Sequence, residues 1–119
     1  MTSIAPWLSV HDATQAAEYY KAAFGAVELE RLAEGGEVMV AQLSIDGAEF
    51  WIQHEPSPVV DGSQVRMILT VEDPDSMFTT AIAAGATEVA PIHEDHGWRV
   101  GRVADPYGHH WEIGHPLEN

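Results

Sequence analysis

Apolar and polar positions alternate with a period of two along most of the chain, and two stretches switch to helical spacing. Residues 4–10 alternate weakly and predict a strand ending at His11-Asp12. Beyond it Ala16, Tyr19, Tyr20, Ala23 and Phe24 recur at three- and four-residue intervals. Asp12 followed by Gln15 is a capping-box pattern, and Gly25 supplies a C-terminal stop, so a helix is predicted over 13–24. Three strands follow, Val27–Leu32, Glu37–Ile45 and Ala48–His54, separated by Glu34-Gly35-Gly36-Glu37 and by the hairpin signal Asp46-Gly47. Residues 55–63 are rich in turn formers and without period, which predicts a linker. After it come a strand at 65–71 and a helix over 74–84 with Asp73 as N-cap and Pro74 at its first position. Gly85 ends that helix, and strands are predicted at Glu88–Ile92, Trp98–Ala104 and His109–Gly114.

The pattern is written twice, about 60 residues apart. Val10-His11-Asp12 is matched by Val71-Glu72-Asp73, Gly25-Ala26 by Gly85-Ala86, and the stretch from Ile45 to Ile52 by that from Ala104 to Ile113. The predicted fold is therefore α+β, βαβββ repeated in tandem as module one (1–54), linker (55–63) and module two (64–119). A unit of that size cannot easily bury a core of its own. The modules are expected to form one domain with a cleft between them, where a ligand would sit.

Charge narrows the partners. Nineteen acidic residues against five basic ones give a formal charge of −14. Such a field repels nucleic-acid phosphates and anionic lipid and attracts cations, so neither nucleic acid nor membrane is an expected partner. No apolar run approaches the roughly 18 residues of a membrane span, and MTSIAPW carries no leader pattern, so the expected location is cytoplasmic. The absence of cysteine excludes disulfides, thiolate metal sites and cysteine nucleophiles.

The opening WLSVHDATQAAEYYKAAFGA and the closing GWRVGRVADPYGHHWEI resemble the vicinal oxygen chelate superfamily of glyoxalase I, bleomycin-resistance proteins and extradiol dioxygenases. The closing segment, a glycine-containing strand leading into Asp-Pro-aromatic-Gly-His and then an aromatic-Glu strand, is the more specific. The resemblance implies two βαβββ modules curved around a shared cavity, commonly within a homodimer. It also implies a divalent metal held on the first and last strands of each module, at positions that fall here on Ala5, Trp51, Arg66 and Glu112. Only Glu112 can ligate, because alanine and tryptophan offer no suitable donor and a guanidinium keeps its proton. No metal and no other cofactor is expected.

Strand alternation places Ala5, Trp7 and Ser9, then Glu49, Trp51 and Gln53, then Arg66, Ile68 and Thr70, and finally His110 and Glu112 on one face. That lining suits a flat ligand held by stacking and by hydrogen bonds at its edges. Arg66 and Glu112 are expected to be neighbours, either anchoring a ligand or standing as an ion pair where the metal would be. The resemblance to bleomycin-binding proteins makes Trp98 a candidate stacking residue, with Arg99 beside it. His93 and His96 are expected in a loop, where spacing fixes no geometry, and His109 and His110 on opposite faces of one strand.

Three functions compete. The leading one is a small-molecule binder of bleomycin-resistance type, sequestering a flat cationic drug or natural product in a dimeric acidic cleft. Its ligand-binding residues would be Trp7, Ser9, Trp51, Gln53, Arg66, Trp98, Arg99, His110 and Glu112. The alternative is a glyoxalase-like lyase, isomerase or epimerase with a partial or relocated metal site, in which His110 and Glu112 are the acid–base candidates. The third is a subunit with a vestigial cavity, which predicts buried Trp7 and Trp51 and no pocket.

Overall fold

The computed structural model describes residues 2–58, 61–62 and 64–118, so part of the predicted linker lies outside the described residues. The fold is α+β, with two helices and two four-stranded mixed sheets arranged as two tandem βαβββ modules. The chain divides into two compact units, Met1–Val59 and Val60–Asn119.

In the first unit, β1 (Trp7–Val10), β2 (Val27–Glu34), β3 (Glu37–Ile45) and β4 (Ala48–His54) order as β1-β4-β3-β2. Helix α1 (Ala13–Phe24) begins where Asp12 accepts from the Gln15 amide at 3.1 Å and ends at Gly25, whose φ of 70° is the left-handed turn that glycine takes without strain. β1 pairs in parallel with β4, Trp7 opposite Trp51 and Ser9 opposite Gln53. That register sends the intervening Leu8, Val10, Phe50 and Ile52 to the helix side, where all four are buried. Tyr20, Phe24 and Phe50 form the aromatic centre of this core, with ring centroids 5.3 Å apart between Tyr20 and Phe50.

The second unit repeats the plan with β5 (Arg66–Thr70), α2 (Pro74–Ala84), β6 (Thr87–Asp95), β7 (Trp98–Ala104) and β8 (His110–Pro116), ordered β5-β8-β7-β6. Asp73 caps α2 through the Ser76 amide, with Pro74 in the first turn. Leu69, Phe78, Val103, Trp111 and Ile113 fill the layer beneath α2.

Several strand ends differ from expectation by a residue or more, and three of the differences move candidate residues. β1 starts at Trp7, so Ala5 lies outside the strand. β6 runs on to Asp95, which puts His93 on a strand rather than in a loop. Only His96 and Gly97 remain as the turn, at φ of 51° and 83°, the tight connection that lets antiparallel strands pair to their ends. β8 begins at His110, leaving His109 in the loop before it.

Candidate functional site

Each sheet has one face covered by its helix and one open face. On the open face of the first unit Trp7 and Trp51 stack at 6.0 Å between centroids and 23° between planes. The Trp7 indole N–H donates to Gln53 Oε1 at 2.9 Å, which fixes that ring, and Gln42 donates to Glu49 at 2.7 Å beside it. Trp7 is 53% exposed although it is among the largest apolar side chains, and Trp51 is partly buried beneath it, so the Trp7 ring is not part of the core. Ser9 belongs to the same face through its register with Gln53.

The open face of the second unit is built on the pairings Arg66 with His110, Ile68 with Glu112 and Arg102 with Glu112. A pocket of about 300 Å³ opens on it, lined by Ile68, Asp95, His96, Trp98, Val100, Glu112 and Gly114. Its walls are apolar and its charged groups are two carboxylates, with His96 held against Asp95 at 2.8 Å. Gly114 is required there because a Cβ would come within 2.9 Å of the Arg99 carbonyl oxygen on β7.

Arg66 and Glu112 meet at 3.1 Å. Their side chains are 44% and 26% exposed, which limits the pair to about 0–1 kcal/mol of stability. Beside them, His110 Nδ1 accepts from Arg102 Nε at 2.9 Å and Nη2 at 2.6 Å. Burial, and next the Arg102 charge, hold the His110 imidazole below its ordinary value near 6.5, against the opposing fields of Asp105 and Asp61. A histidine so depressed adds stability above the unfolded value and loses it as pH falls through the folded one. The wild-type urea midpoint should therefore drop as pH is lowered from about 6.5, and the His110→Gln protein should show a shallower drop over that window. Equal slopes for the two proteins would refute this assignment.

Trp98, Glu112 and, through the shared sheet face, Arg66 and His110 are thus brought together, as are Trp7, Ser9, Trp51 and Gln53 in the other unit. Arg99 is not among them. It forms a two-pronged pair with Asp75 on α2, at 2.7 and 2.6 Å, and the guanidinium beside Asp75 holds that carboxyl below the usual range. The reason is alternation: one residue beyond Trp98, its side chain leaves by the helix face. Sequence reasoning missed Asp95, Val100, Gly114 and Arg102, although counting by twos from Trp98 reaches Val100 and Arg102.

The superfamily's metal does not fit these residues. Ala5 and Trp51 offer no donor, and Glu112 faces a guanidinium. Among the described residues no three His, Asp or Glu side chains are placed to hold an ion.

Two tandem βαβββ modules, each with a helix on one sheet face and a polar and aromatic lining on the other, define the vicinal oxygen chelate class. The chain belongs to the glyoxalase-like domain family, whose model matches residues 7–114. A relative from Mycobacterium bovis, itself uncharacterized, is 38% identical over 128 residues, spanning 97% of this chain and 84% of the relative. Among solved structures, TioX from Micromonospora sp. ML1 superposes with a TM-score of 0.80 at 27% identity, covering 98% of this chain and 100% of TioX. The fosfomycin resistance protein FosX of Listeria monocytogenes shares the fold alone, with a TM-score of 0.80 at 14% identity, over 98% of this chain and 95% of FosX.

Proposed function

We propose that this protein is a small-molecule binder that sequesters a flat ligand bearing a cationic group, and that it acts as a cytoplasmic homodimer. The observation that carries the reading is the stacked Trp7–Trp51 pair, in which Trp7 is 53% exposed and its ring is pinned by Gln53. A vestigial cavity would have left both rings packed, whereas the exposed Trp7 indole stacked on Trp51 offers area to a planar guest. The pocket at Trp98 supports the same chemistry, since Asp95 gives it a carboxylate that a cation would neutralise, while Glu112 is already held by Arg66. The enzymatic alternative finds less support. Glu112 is engaged by Arg66 and the His110 Nδ1 lone pair by Arg102, so both candidate bases already hold a guanidinium.

Titration with planar cationic compounds, bleomycin among them, is expected to quench tryptophan fluorescence saturably. Trp51→Ala should weaken binding about tenfold or more, the usual cost of deleting an aromatic anchor. Absence of saturable quenching across several such compounds would remove the reading, and sedimentation at the same concentrations would check the dimer.

A further inference from the structure

Basic groups are scarce here, and almost all of them are neutralised. Lys21 pairs with Glu18 and Glu28, Arg31 with Glu28, Arg66 with Glu112, and Arg99 with Asp75 and Glu94. Arg102 is the exception. It has no carboxylate partner among the described residues, in a chain with nineteen acidic side chains. Its direct neighbour across β7 and β8 is Glu112, yet the Glu112 carboxylate goes to Arg66, and Arg102 turns to His110 instead. Two guanidinium donors converge on Nδ1, and a guanidinium has nothing with which to accept, so Nδ1 is the acceptor and the ring proton resides on Nε2. That Nε2–H makes no hydrogen bond to any described residue. A half-buried cation with no carboxylate in ion-pair reach among the described residues, fixed beside an imidazole whose remaining polar atom is a donor, is complementary to an oxyanion. Asp61 is near enough to act on the ring but is not paired with Arg102.

We propose that Arg102 and His110 form a subsite for an anionic oxygen group of the ligand, a carboxylate or similar oxyanion, which supplies the counter-ion Arg102 lacks. Arg102 contributes the charge, with donors of its planar fork beyond those spent on His110. His110 contributes the neutral Nε2–H. The ligand class becomes a planar molecule that carries an oxyanion as well as a cationic group. This rests on reading the open face of the second unit as the ligand surface, but it uses residues other than Trp98 and Asp95 and can fail separately.

Benzoate and benzamidinium, planar probes of opposite charge and similar size, test it by NMR on isotope-labelled protein. Benzoate is expected to shift the Arg102 Nε–H and the His110 ring resonances saturably. Arg102→Gln should weaken benzoate binding about tenfold or more, and Arg102→Lys, which keeps the charge but loses the fork, by less. Benzamidinium should instead move the Trp98 indole resonance in wild type and in both variants, which also shows that the variants are folded. No saturable benzoate shift, or one that survives Arg102→Gln, overturns the subsite. If benzamidinium still moves Trp98 in that case, the binder reading stands without it; if neither probe binds, both fall.

Discussion

Asp105→Ala should destabilise the protein by about 3–5 kcal/mol, seen as a lower urea midpoint at unchanged slope. Asp105 is 4% exposed, and its carboxylate collects the Tyr107 amide at 2.9 Å, the His109 amide at 3.0 Å and the Trp111 indole N–H at 2.9 Å. The Asp105 amide in turn donates to the His109 carbonyl oxygen at 2.8 Å, closing the loop between β7 and β8. Alanine strands three inward-facing donors at once. Asp105→Asn is the sharper variant, since one oxygen can still accept while the amide N–H₂ is set against one of the donors, and about 1–3 kcal/mol is expected. A loss below about 1 kcal/mol for alanine would mean that water replaces the carboxylate freely. The same loop sets the β7–β8 register, which places His110 and Glu112 on the open face, so both variants should also lose ligand affinity.

Why this loop was legible as a motif but not as a geometry shows where sequence reading stops. The helices were readable to the residue, 13–24 and 74–84, because a cap and a stop glycine act within a turn of each end. Facing was readable too: Trp7 and Trp51, and Arg66 and Glu112, were expected on shared faces and are found there. Strand ends were not, since they depend on a partner strand distant in sequence. β6 continues to Asp95 only because β7 is there to pair with it, and His93 and His96 consequently belong to a strand and a tight turn. The Arg102–His110 contact was illegible for the same reason. It is diagonal across two strands, and its register follows from how the Asp105 loop closes, which no spacing in the chain reveals.

Neighbouring aromatics on β4 give the most discriminating test of the facing argument. Phe50→Ala should cost about 3–5 kcal/mol, whereas Trp51→Ala, one residue further on, should cost about 1 kcal/mol or less while removing ligand affinity. Phe50 is 3% exposed and sits edge-on to Tyr20 of α1, which is wholly buried, so truncation opens a cavity that close-packed neighbours cannot refill. Trp51 leaves the strand on the other side, against Trp7 alone among the rings, and its loss exposes surface without hollowing a core. Urea unfolding measures the first effect and fluorescence or calorimetric titration the second. Comparable losses of stability for the two variants would mean that Trp51 is a packing residue. The open face would then be a second core surface instead of a place where a ligand stacks.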